Sequence, residues 1–239
     1  PTLFNRVADR KSPLNNIYKY FIWCMIQICF ESIAHRVASA GADALILSLR
    51  TAGIGPGDEV IFPSHTFVAS PSSIHWVGAT PVPVDCLDDH LIDPDSIRKA
   101  ITNKTKAIMP VSLNGRTCNF DPILKIAKEF DLKIVEDSAQ ALGSKFKGKF
   151  AGTFGLSGSF SFYPGKNLGA CGDAGAIVTN RDELAEQCRM SGNHGRIKKF
   201  EHIFQGRNSR LDTIQAAILN IKLKSLDDWN LKRIRIAGL

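Results

Sequence analysis

Two side chains in this sequence stand where an α/β protein would do chemistry. Asp137 directly follows the apolar run 133–136, and Gln140 comes three residues later. Lys166 follows a second apolar run, 159–163, which contains Ser161, and Gly165 and Gly169 give the chain around it backbone freedom. Ligands of parallel α/β sheets bind at the carboxyl ends of the strands. A carboxylate and a lysine on separate strand ends, with aromatics between them, suit pyridoxal 5′-phosphate. That cofactor needs a lysine to bond its aldehyde and an acid to keep its ring nitrogen protonated, so that the ring can withdraw electrons. It also needs a phosphate cup of hydroxyls and N–H groups at a helix start. The helix beginning near Gly41, Ala42 and Asp43 is a candidate cup.

Taken alone, the pair also fits plainer roles. A lysine after a strand is more often a solvated surface residue, and an aspartate at a strand end more often caps a helix or pairs with a cation. Other phosphate and nucleophile motifs fail on spacing. Gly165-Lys166 lacks the first glycine and the hydroxyl of a Walker loop, because Phe160 and Asn167 stand there. Gly53, Gly55 and Gly57 follow a helix and precede a strand, the reverse of a dinucleotide fingerprint. Gly155, Ser157 and Gly158 miss a nucleophile elbow by one residue.

The elements that must position these residues alternate regularly. Helical spacing covers 44–52, 70–77, 96–101, 122–130 and 182–190, and a last helix begins near Leu211. Strands are expected at 59–62, 81–84, 106–111 and 133–136, with shorter apolar runs at 159–163 and 175–178. The pattern predicts one α/β domain with a mostly parallel sheet covered by helices on both faces.

Composition agrees with a globular chain: 239 residues, 44% hydrophobic and 22% charged, which excludes disordered and collagen-like classes. The six cysteines show no CxxC pair or zinc spacing, so no metal site is expected and mostly buried thiols in a reducing compartment are. The net charge of +7 resides in residues 189–239, which hold 11 bases against 4 acids. Such a patch suits a phosphorylated ligand, and without an aromatic-interleaved basic motif it does not argue for nucleic acid. Residues 21–30 form an apolar run about half the length of a membrane span, so a buried helix or a poorly matched terminus is expected there and no membrane association.

The wording around these residues adds a family. GDEVIFPSHTFVAS (57–70), GATPVPVD (78–85), VEDSAQALGS (135–144), GSFSFYPGKNLGACGDAGAIVTN (158–180), NHGR (193–196) and RNSRLDTIQAAIL (207–219) are similar, in order and spacing, to the DegT/StrS family of sugar aminotransferases. The resemblance implies the large domain of the fold-type I scaffold over residues 36–239, with residues 1–35 unmatched. It implies pyridoxal 5′-phosphate bonded to Lys166, with Asp137 on the ring nitrogen, Gln140 at the 3-oxygen and Phe67 stacked on the ring. It places Ser161 and the Gly41-Ala42 helix start on the phosphate, joined by Asn208 from a neighbouring subunit of a homodimer with shared active sites. Arg210 holds that loop, and His194 is structural. Phe67 as simple core, and Asn208 and Arg210 as turn formers, are the plainer alternatives.

Lysine rather than histidine at 166 implies transamination rather than dehydration. The implied substrates are a nucleotide-linked keto-sugar and an amino-acid donor such as glutamate, in cytoplasmic synthesis of sugars for polysaccharides or secondary metabolites. Three departures stand out. Ala42 replaces the family's usual threonine, the first 35 residues do not match, and the chain stops at Leu239, before the family's small C-terminal domain. These departures leave open a second reading, a truncated copy that folds or binds the cofactor with impaired turnover.

Overall fold

The computed structural model describes residues 34–238. The apolar run 21–30, expected as a buried helix, lies outside the described residues.

The chain begins with β1 (Ala34–Ala38), α1 (Gly41–Thr51), β2 (Glu59–Pro63), α2 (Ala69–Trp76) and β3 (Thr80–Val84). Then come α3 (Pro94–Ala100), β4 (Thr105–Ile108), α4 (Phe120–Glu129) and β5 (Lys133–Asp137). A hairpin of β6 (Lys145–Phe146) and β7 (Lys149–Phe150) precedes β8 (Ser157–Ser161), β9 (Gly175–Thr179) and α5 (Asp182–Ser191). A second hairpin, β10 (Arg196–Lys198) and β11 (Glu201–His202), leads to α6 (Thr213–Leu223) and α7 (Leu226–Ala237).

Among the described residues, seven strands form one sheet in the order β1-β9-β8-β5-β4-β2-β3. From β3 to β8 every neighbouring pair is parallel. β9 runs antiparallel to both β8 and β1. The expected α/β class, with a mostly parallel sheet, is what the chain adopts.

Alternation along the strands sends successive side chains to opposite faces. On one face Leu45 and Leu49 of α1 and Ile74 of α2 pack against Val60, Phe62, Met109 and Val135. Leu184 and Cys188 of α5 join Leu47 and Ile177 on that side. On the other face Ile97 of α3 and Ile123 and Ile126 of α4 pack against Ile61, Ile108 and Ile134. There Ala216, Leu219 and Leu223 of α6 cover Phe160, Ala176 and Val178. Burying each such leucine or isoleucine contributes roughly 1.5–3 kcal/mol.

The structure adds elements that the sequence pattern missed. β1 has the weakly strand-like sequence AHRVA and becomes a strand by pairing with β9, in the register Ala34 to Thr179 through Ala38 to Gly175. α7 escaped because Leu226 is its buried residue while Leu231, Ile234 and Ile236 are exposed, so its apolar spacing marks no core-facing stripe. The two hairpins are too short for a periodic signal. Thiol burial is also less uniform than expected: Cys118 and Cys188 are buried, Cys86 partly, and Cys171 is exposed. Burial pushes the Cys118 thiol up to about 12, so it stays protonated and packs as an apolar group.

Candidate active site

A cavity of about 420 Å³ opens at the carboxyl ends of β5 and β8, over the start of α1. Its wall includes Gly41, Ala42, Phe67, Asp137, Gln140, Ser161 and Lys166, which come from four separate segments of the chain. The topology explains the convergence. β5 and β8 are parallel neighbours in the middle of the sheet, paired Asp137 to Ser159, so residues just beyond their ends share one rim.

Asp137 ends β5, 5% exposed. Its Oδ2 accepts a hydrogen bond from Ser70 Oγ at 2.8 Å, and its Oδ1 accepts from the Ala139 N–H at 3.1 Å. Burial raises its pKa above the ordinary carboxylate value, against the two hydrogen bonds and the charge of Lys166, which favour the anion. Lys166 sits in the loop after β8, half-buried. Burial lowers its pKa, while the Asp137 carboxylate pulls the other way. The net direction favours a neutral, nucleophilic amine more than water would.

Gln140 Oε1 accepts from the Asn114 N–H at 3.0 Å, which leaves the amide NH₂ as a donor. Phe67 is 66% exposed and Tyr163 58% exposed, so two aromatic rings stand open at the cavity. Exposure on that scale excludes the plainer reading of Phe67 as core.

At the other end, α1 has Ala40 as its N-cap, whose side chain offers no capping atom, so the first-turn N–H groups remain available for an anion. Residue 41 must be glycine. A Cβ there would lie 2.6 Å from Ser161 Cβ, so the helix start can sit against the end of β8 only without a side chain. Asp43, named with the candidate cup, turns away instead. Its Oδ1 pairs with Arg207 at 2.9 Å and its Oδ2 accepts from Ser209 Oγ at 3.1 Å. This partnering neutralises a carboxylate that would otherwise repel a phosphate at the helix start.

Asn208 is not part of this chain's cavity. It is exposed, its Oδ1 accepts from Arg210 Nε at 2.9 Å, and it forms an isolated bridge with Asn193. His194 is also outside the cavity wall, in a left-handed backbone conformation (φ 59°) with its carbonyl hydrogen-bonded to His202 Nδ1. Sequence reasoning missed Ser70, Thr66, Tyr163 and Asp173. Ser70 and Thr66 lie within the word SHTFVAS, where only the aromatic stood out, because a serine opening a helix reads as a cap. Among the described residues, no group of three His, Cys, Asp or Glu side chains could hold a metal ion, and no helix is long and apolar enough to cross a membrane.

The mostly parallel sheet with helices on both faces is the α/β fold of the fold-type I aminotransferases. The model of the DegT/DnrJ/EryC1/StrS aminotransferase family matches residues 32–239, and the chain belongs to that family. It is 50% identical over 201 residues to the dTDP-3-amino-3,4,6-trideoxy-alpha-D-glucose transaminase of Streptomyces venezuelae, covering 84% of this chain and 53% of the relative. It is 53% identical over 221 residues to the dTDP-3-amino-3,6-dideoxy-alpha-D-galactopyranose transaminase of Aneurinibacillus thermoaerophilus, covering 92% of this chain and 59% of that one. The solved structure of S. venezuelae DesV in complex with a ketimine intermediate superimposes with a TM-score of 0.89 at 44% identity, over 97% of this chain and 62% of that one. The chain thus spans somewhat more than half the length of the curated relatives it matches.

Proposed function

We propose that this chain holds pyridoxal 5′-phosphate in the cavity and serves amination of a nucleotide-linked keto-sugar, with an amino acid such as glutamate as donor. The observation that carries the reading is the meeting of Asp137 and Lys166 at one cavity whose far end is the bare start of α1 beside Ser161. The names of the relatives, dTDP-sugar transaminases, support the substrate class.

The residues fit the cofactor. The first-turn N–H groups of Gly41 and Ala42 and the Ser161 hydroxyl would hold the phosphate. Phe67 would cover the ring, and the free NH₂ of Gln140 would donate to the ring's 3-oxygen. Bound there, the cofactor supplies an electron-withdrawing ring that stabilises negative charge at a substrate carbon. Asp137 would hold a proton on the ring nitrogen. Lys166, whose Nζ burial favours as the neutral amine, would hold the cofactor's aldehyde carbon and would carry a proton at that atom as general base and acid. Ala42 brings no hydroxyl, so the phosphate relies on Ser161 and backbone donors within this chain.

Asn208 supports a homodimer with shared sites. Its neighbours Arg207 and Ser209 are tied to Asp43 at the first turn of α1, and Asn208 between them is exposed and outside the wall of its own cavity. It would reach the phosphate of a second copy. The working compartment in this reading is the cytoplasm, and the amino sugars feed polysaccharides or secondary metabolites.

The test is an absorbance spectrum of the protein with pyridoxal phosphate. A visible band is expected, absent in Lys166→Ala, and bleached by glutamate as the amino group transfers. A band indifferent to Lys166→Ala would overturn the assignment of the lysine.

A further inference from the structure

We propose that Ser70 is a positioning residue for the cofactor's ring nitrogen, acting through Asp137 at the end of a directed hydroxyl relay that starts at Thr66. The inference rests on the reading of the cavity as a pyridoxal phosphate site.

The geometry sets the direction of the relay. Ser70 is fully buried in the first turn of α2, and its Oγ donates to Asp137 Oδ2 at 2.8 Å. Thr66 Oγ1 lies 2.7 Å from the same Oγ. A serine hydroxyl has one proton, and an ionised carboxylate can only accept. With that proton committed to Asp137, Thr66 must donate to Ser70, and the chain runs Thr66 to Ser70 to Asp137. Each bond polarises the next toward the carboxylate.

A capping role does not explain the serine. The N-cap of α2 is Val68, and Ser70 sends its hydroxyl across to a strand 67 residues away. Its effect bears on one atom pair. The titratable groups lining the cavity are Asp137, Lys166, Tyr163 and Asp173, so Lys166 is the cation on that wall. Besides it, the Ser70 hydroxyl and the Ala139 N–H are the donors that favour the Asp137 anion and hold its two oxygens at the cavity wall. Without Ser70 the carboxylate is buried with one donor fewer, is a stronger base, and is free to rotate.

The experiment loads the unaltered protein, Ser70→Ala, Ser70→Thr and Thr66→Val with pyridoxal phosphate carrying ¹⁵N in the ring. It reads the nitrogen chemical shift at one pH and the cofactor dissociation constant. The unaltered protein should show a protonated ring nitrogen. In Ser70→Ala the shift should move toward neutral pyridine and the dissociation constant rise about tenfold, the effect of one hydrogen bond to a charged group. Ser70→Thr, which restores the hydroxyl, should recover the shift, and Thr66→Val should fall between, at about threefold. An unmoved shift in Ser70→Ala overturns the proposal, even if affinity falls, because that pattern is what a merely structural serine would give. A failure of the parent reading looks different: the unaltered protein would show no cofactor bonded to Lys166, and both inferences would fall together.

Discussion

Glu136 and Asp137 are neighbours on one strand, both carboxylates and both buried, yet the two faces of the sheet put them to opposite uses. Glu136 faces the side covered by α3 and α4, where residues 152–155 fold across it. The N–H groups of Gly152, Phe154 and Gly155 donate to its two oxygens at 2.6, 2.6 and 2.7 Å. The loop comes that close because Gly152 adopts a φ of +85° and Gly158 has no side chain; a Cβ on Gly158 would lie 2.3 Å from the Gly152 backbone. Burial pushes the Glu136 carboxyl up to about 7 even against these three donors. Asp137, on the face of α1 and α2, has one hydroxyl and one N–H, and a cavity with an amine beside it. A carboxylate saturated by backbone donors pins a loop, whereas one left with open lone pairs at a cavity is available to a ligand.

The contrast can be broken from either side. Asp137→Ala should weaken pyridoxal phosphate binding by roughly two to four orders of magnitude, on the scale of about 3–5 kcal/mol for removing one partner of a buried charge pair. Titration with the cofactor checks it, and the cofactor-free protein should melt no earlier, since a buried carboxyl has gone. Glu136→Gln should do the reverse. Its amide NH₂ would face N–H donors, costing about 1–3 kcal/mol in urea unfolding, while cofactor affinity stays within about twofold.

The pH dependence sharpens the same point. Folding raises the Glu136 pKa from 4.5 to about 7, so the folded chain binds more protons than the unfolded chain across that window. Stability therefore falls as pH rises from 4.5 through 7, by up to about 3 kcal/mol from this group. The unfolding midpoint in urea at pH 5 and pH 7.5 measures the difference, and Glu136→Gln should flatten it. The smallest effect belongs to the phosphate end. Ala42→Thr adds a hydroxyl at the start of α1 and should tighten cofactor binding by about tenfold or less, read by the same titration.

Much of this arrangement was legible in the sequence. The alternation of elements, the ends of β5 and β8, and the residues Asp137, Gln140, Ser161 and Lys166 all follow from apolar runs and the residues just beyond them. Gly41 was legible as part of a helix start, but its reason was not: the steric limit is set by Ser161, 120 positions away. Asp43 looked like part of the phosphate cup, and its diversion to Arg207 and Ser209 depends on a loop that periodicity does not place. β1 and α7 were illegible because neither carries the spacing that marks a buried face.

Residue order alone determined the class of fold and the family, because these depend on local hydrophobic period and on short words. Which of two adjacent carboxylates is structural and which meets the cavity was decided only by tertiary structure. The donors that make the difference come from α2, 67 residues before Asp137, and from the loop 16 to 19 residues after Glu136, and only the packed sheet brings them to opposite faces of the same strand.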